Sequence, residues 1–231
     1  MISALSAIAA GTLGIVGYYA YEGANYVKTD DARVAANTVF ITPEITGRIL
    51  EWNIREGDLV KVDDVLGRQD MGAIMTSAAI NPNTMAAAGG IIAEKAQFKS
   101  PIAGQVIQSS AVVGQMAAPG TSLAVIADVS NLYVSANIKE DQVGRVKVGE
   151  DVDVKIDALP GMVFRGQIES MSRATASTFS LISTQNSSGN YTKVTQVIPV
   201  KIHLLATGGA QLMVGMNADI RIHIAGKGLK G

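Results

Sequence analysis

The side chains that could do chemistry are few, and their spacing argues against catalysis. His203 follows Lys201 at strand spacing and His223 follows Asp219 and Arg221, so each imidazole falls on the polar face of an alternating strand. A metal site needs three or four ligands, and neither His has a third near it in sequence. The doublets Asp30-Asp31 and Asp63-Asp64 are adjacent, so in an extended chain their carboxylates point apart. They read as turn and linker residues rather than an acid and base acting together. There is no Ser-His-Asp set, phosphate-binding Gly loop or dinucleotide fingerprint. Cysteine is absent, which excludes thiolate catalysis, thiolate zinc sites and disulfides. A chain of this kind is expected to catalyse nothing and to hold neither cofactor nor metal.

What remains must be scaffold. The 231 residues suit two compact modules plus a tail. Lys plus Arg number 19 against 20 for Asp plus Glu, with no basic cluster, so a nucleic-acid surface has no electrostatic footprint. Aromatic residues are only 5%, which suits packed strands better than an aromatic-lined ligand pocket.

The main organising signal is a repeat. Gly47, Gly57 and Leu66 recur as Gly104, Gly114 and Leu123, each pair 57 residues apart. Each half has a Pro before its first Gly (Pro43, Pro101) and spaced apolar residues (Ile49, Ile54; Val106, Val112). Gly47, Gly57, Gly104 and Gly114 are expected as structural turn positions, with positive φ at Gly57 and Gly114. Neither half can bury its own apolar face, so the two are expected to pair into one small β-sandwich. Between them, residues 71–98 are rich in Ala, Met, Ile and Thr around Asn81-Pro82-Asn83, which predicts two short helices joined at that turn.

From Ile2 to Tyr21 there is no charge, and Tyr18, Tyr19, Tyr21 and Tyr26 cluster at the C-terminal end of the stretch. That is long enough to cross a bilayer as one helix with an aromatic belt at its exit, and it lacks the basic start and small-x-small site of a cleaved leader. Lys28 and Arg33 follow the span, which taken literally favours the wrong orientation. Either the N-terminus is truncated or mis-started, or Glu22, Asp30 and Asp31 override a weak signal, and the bulk of the chain is extracytoplasmic.

After Asp128 the pattern becomes alternating strands at 132–138, 152–156, 163–171, 194–204 and 218–224. Five or six strands without a long helix predict a small antiparallel barrel. A Ser/Thr/Asn/Gly-rich stretch at 174–193 reads as a long loop.

Four strings, in order around the split repeat, resemble the membrane fusion proteins, or periplasmic adaptors, of the HlyD type, most closely the EmrA-like branch. They are Tyr26-Val27-Lys28-Thr29-Asp30-Asp31-Ala32; Ala136 through Gln142 followed by Val148-Gly149; Gln185 through Val194 with Gln196 and Pro199-Val200; and Gly215-Met216. The resemblance covers nearly the whole chain. It implies a mainly β chain: anchor 1–25, linker 26–37, a lipoyl-type domain from 38–70 plus 99–128, a short α-helical hairpin 71–98, a β-barrel 129–225 and a tail 226–231. It further implies an export-pump adaptor tethered to the cytoplasmic membrane, forming a homo-oligomer around a conduit. The transporter would be of major-facilitator type first, ABC type second. Two features depart from the family: the hairpin is a stub where relatives dock an outer-membrane channel, and Val197 stands where a basic residue is expected. Gln185, Asn186, Gly189, Asn190, Tyr191 and Lys193 are the candidate partner-contact residues.

Two other readings stay open. Lipoyl and biotinyl domains modify a Lys at the turn between their halves, which draws attention to Lys95 and Lys99; neither sits in a Met-Lys turn, and both read as solvated side chains. An envelope scaffold without transport is the third.

Overall fold

The computed structural model describes residues 2–70, 93–175 and 195–224, with side chains from residue 13 onward. It divides into two units: Met1–Ala35 with Leu132–Gly231, and Ala36–Asn131.

The first unit opens with helix α1 (Ile2–Asn25). Among the described residues no helix is long and apolar enough to cross a membrane. At Tyr26 the helix passes directly into strand β1 (Tyr26–Ala35), and here the expected linker at 26–37 is corrected. β1 is a full barrel strand. It closes a six-stranded antiparallel barrel in the order β1, β10 (Tyr133–Lys139), β13 (Val197–Leu204), β12 (Phe164–Met171), β11 (Asp151–Ile156), β14 (Asn217–His223) and back to β1. On one side Val34 lies opposite Val134; on the other Val27 lies opposite Ile222. One short helix, α2 (Glu140–Val143), follows β10.

A bulge explains why β1 does not look like a strand in the sequence. Register shifts between Thr29 and Ala32, so the inward positions run Val27, Thr29, then Ala32, Val34, and the extra residue falls at the Asp30-Asp31 doublet. A two-residue period broken in the middle by two carboxylates resembles solvated linker. The predicted strands after Asp128 are all present, with ends displaced by at most three residues. The barrel core is a layer of Val and Ile side chains, including Val134, Val154, Ile202 and Ile222, each fully buried.

The second unit is a sandwich of two four-stranded sheets. Its strands are β2 (Thr38–Ile41), β3 (Gly47–Trp52), β4 (Leu59–Val60), β5 (Val65–Gln69), β6 (Gln97–Lys99), β7 (Gly104–Ser109), β8 (Met116–Ala117) and β9 (Ala124–Ala127). One sheet runs β2-β9-β7-β4 and the other β6-β5-β3-β8. Each therefore takes two strands from each half of the repeat, and the repeat turns one sheet into the other. The registers obey the same rule: Gly47 pairs with Ala117 and Arg48 with Met116, as Gly104 pairs with Val60 and Gln105 with Leu59. So do loop hydrogen bonds, with Gly57 N–H donating to Val106 and Gly114 N–H to Ile49, both at 2.8 Å. At the equivalent positions Trp52 and Ser109 the two halves meet, Trp52 Nε1–H donating to Ser109 Oγ at 2.9 Å.

The four repeat glycines separate into two kinds. Gly57 and Gly114 have φ of 94° and 91°, in turns. Gly47 and Gly104, expected at turns, instead open β3 and β7, where a Cβ would stand 2.3 Å from the Asp70 carbonyl oxygen and 2.2 Å from that of Ala127. They are small because another backbone passes there. The predicted hairpin lies outside the described residues at 71–92, while Gln97 and Phe98, assigned to it, belong to β6, with Phe98 buried in the sandwich core. Of the predicted loop and tail, residues 176–193 and 226–231 lie outside the described residues.

Two outcomes follow. A chain starting at residue 36 leaves β10 and β14 as open edges; it should lose the barrel's cooperative melting transition in calorimetry while the sandwich transition persists. Gly47→Ala and Gly104→Ala should each destabilise the sandwich by about 2–3 kcal/mol, because the obstruction is backbone and cannot rotate away; chemical denaturation checks it, and the two costs should be similar.

Candidate functional site

Adjacent strands β1, β14 and β11 bring charged residues onto one outer face of the barrel. Register places Lys28 beside Arg221 and Arg221 beside Asp153; one step along, Asp219 lies beside Lys155. Asp30, at the bulge, joins them to line an open groove of about 510 Å³ whose floor includes Ile220. The alternation follows from strand geometry: Ile220 and Ile222 point into the core, so Asp219, Arg221 and His223 point out.

At one end of this face the contacts are specific. The Arg221 guanidinium lies 3.7 Å from the Tyr26 ring centroid. Tyr26 meets the His223 ring edge to face at 5.1 Å, and His223 Nε2 is 2.8 Å from Asp153 Oδ2. Glu22, in the last turn of α1, accepts a hydrogen bond from Lys28 Nζ and lies 3.5 Å from Arg221. Cross-strand partners thus account for His223. His203 is exposed on β13, opposite Tyr133 and Gln167. Among the described residues no group of three or more His, Cys, Asp or Glu could hold a metal. The face contains no activated nucleophile, and what it can do is bind complementary charge.

The remaining predicted residues are placed as follows. Asp31 Oδ2 accepts from Asn137 Nδ2 at 3.0 Å. Asp64 Oδ2 accepts from the Lys61 N–H at 2.7 Å, closing a turn in which Asp63 has φ of 66°. Lys95 pairs with Glu44 at 3.3 Å and Lys99 with Glu94 at 3.4 Å, with Lys99 inside β6 opposite Val65. The contact residues Gln185, Asn186, Gly189, Asn190, Tyr191 and Lys193 lie outside the described residues. One carboxylate is perturbed by its turn: hydrogen bonds from Asn131, then Ser130, hold the Asp128 carboxyl below the ordinary aspartate value.

The sandwich carries two outer faces of equal backbone and unequal chemistry. The cross-strand row Phe40–Val125–Gln108 maps through the repeat onto Gln97–Arg68–Glu51. Phe40 is 61% exposed, whereas Arg68 and Glu51 form an ion pair at 3.0 Å.

Sequence reasoning named Tyr26 and Arg221 without their contact with each other, and missed Arg145. Arg145, after α2, donates from Nη2 to the carbonyls of Gly23 at 2.5 Å and Ala24 at 3.0 Å. The available signal was indirect: the last turn of α1 has no basic residue, so its free carbonyls must find a donor elsewhere.

Residues 37–129 match the family description "RND MFP, barrel-sandwich hybrid domain". The chain is 36% identical over 201 residues to the putative efflux system component YhbJ of Bacillus subtilis, covering 87% of this chain and 81% of YhbJ. It is 42% identical over 103 residues to the colistin resistance protein EmrA of Acinetobacter baumannii, covering 45% of this chain but only 29% of that protein. The solved structure of the periplasmic adaptor protein EmrA superposes with a TM-score of 0.52 at 13% identity, covering 86% of this chain and 98% of that one. A MacA–MexA chimera carrying the Pseudomonas aeruginosa MexA α-hairpin domain superposes with a TM-score of 0.64 at 20% identity, covering 87% and 82%. At these identities the structures speak to the fold alone.

Replacing Arg221 by Met keeps the apolar stem and removes the guanidinium from Tyr26 and Glu22. The barrel transition should fall by about 1–2 kcal/mol in thermal melting, with Arg221→Lys intermediate.

Proposed function

The chain belongs to the membrane fusion proteins, EmrA-like adaptors of the HlyD type, and on that premise we propose that it is the adaptor subunit of an export system in the cytoplasmic membrane. Proteins of this family are adaptors and not enzymes. The observation that carries the reading is the YhbJ similarity, which runs through both the sandwich and the barrel. In this reading the N-terminal segment tethers the chain, although among the described residues no helix is long and apolar enough to cross a membrane; the support is the uncharged stretch from Ile2 to Tyr21 and the Tyr18, Tyr19 and Tyr21 side chains exposed near its end. The β units work outside the membrane, several copies surround a conduit, and the transporter is a major-facilitator exporter, with an ABC exporter the second choice.

The segment joining the two sandwich halves is too short for a long coiled coil, so outer-membrane docking is not part of this proposal. At about 1.5 Å per residue, two arms of roughly twelve residues would reach only about 18 Å. The carrier reading draws no support from Lys95 and Lys99, each held in an ion pair beside or within β6. The loop residues Gln185 to Lys193 are proposed as the partner contact.

The test is a mild-detergent pull-down of tagged full-length chain with mass spectrometry. The adaptor reading expects a co-purifying exporter, recovered several-fold less when Gln185 to Lys193 are replaced by Gly/Ser. A bait that recovers only itself, at unmodified mass, would overturn it in favour of a scaffold.

A further inference from the structure

Nothing separates α1 from the barrel: the helix ends at Asn25 and β1 begins at Tyr26. A hinge needs a few residues free to change φ and ψ, and the residues at this junction are held from two distant parts of the chain, Arg145 and the end of β14, and by neighbouring β1. Arg145 Nη2 donates to both the Gly23 and Ala24 carbonyls. The Ile224 N–H, at the end of β14, donates to the Asn25 carbonyl at 2.8 Å. Glu22 accepts from Lys28 of β1 and lies against Arg221 of β14. Asn25 closes the turn on itself, its Nδ2 donating to the Tyr21 carbonyl at 2.7 Å.

The two distant residues whose side chains reach the helix end, Arg145 and Arg221, each sit beside a buried one. Val146, next to Arg145, is buried in the barrel core, and Ile222 between Arg221 and His223 is fully buried. Gly23 is the residue of the last helical turn with most backbone freedom, and its carbonyl is one of the two that Arg145 holds. A cation at a helix C-terminus also opposes the negative end of the helix dipole.

We propose that Arg145 and Glu22 lock α1 to the barrel, so that helix and barrel move as one rigid body. For a tethered adaptor, a tilt or rotation of α1 imposed by its transporter then reaches the barrel undamped. This consequence rests on the reading of α1 as the membrane tether; the lock itself does not.

The chain has no cysteine, so spin labels at Ala20→Cys and Lys155→Cys report the helix-to-barrel distance without background. In full-length protein in lipid nanodiscs, pulsed electron paramagnetic resonance should give one narrow distance distribution. Adding Glu22→Gln and Arg145→Met should broaden it at least twofold while the barrel melts as before, and Arg145→Lys should restore part of the narrowing. A distribution already broad in the labelled parent, or unchanged in width in the double variant, overturns the proposal. The parent width decides even if the double variant fails to fold. Release of the chain by alkaline carbonate would sink the tether reading and leave the lock standing.

Discussion

Closure by strands distant in sequence is the constraint on which both units depend. In the barrel, β10 and β14 find their shared neighbour only in β1, roughly a hundred residues or more upstream. Without it two edges stand open, each a row of unpaired backbone donors and acceptors. In the sandwich, neither half of the repeat contains a complete sheet, because each sheet draws two strands from each half. Such architectures acquire their hydrogen bonds together, after long loops have closed. Rigidity comes with that, since no strand can leave alone.

The repeat shows what backbone symmetry specifies and what it leaves to side chains. Registers, loop hydrogen bonds and glycine close approaches recur at equivalent positions across 57 residues of separation. The outer faces do not recur. One presents Phe40 to solvent over Val125, and the other replaces that row with Gln97 and a bidentate-capable Arg68–Glu51 pair. Interior positions must match because they pack on the same neighbours at near-crystalline density. Exterior positions answer only to water and partners.

A protein without catalytic groups can still do mechanical work if force is passed between its parts without loss. The junction at Asn25 and Tyr26 suits that role. A helix end whose carbonyls are satisfied by a side chain from elsewhere in the fold cannot swivel without breaking charge-assisted hydrogen bonds, which are stronger than neutral ones. The charged face across β1, β14 and β11 begins at the same place, so the groups that steady the helix and those that line the groove share Lys28 and Arg221.

Local pattern was enough for much of this protein. The 57-residue repeat marked the sandwich, alternation marked five of the six barrel strands, and positive φ was legible at Gly57 and Gly114, because each depends on residues within a few positions of one another. Tertiary structure alone decided that residues 26–35 are a barrel strand, since a bulge at Asp30-Asp31 breaks the two-residue period and only the flanking β10 and β14 restore its meaning. It alone separated Gly47 and Gly104 from turn glycines, because the carbonyls that exclude a Cβ belong to Asp70 and Ala127, more than twenty positions away. The Arg145 contact with the end of α1 has the same origin: a helix terminus states that it needs a donor, and only the closed fold determines which side chain arrives.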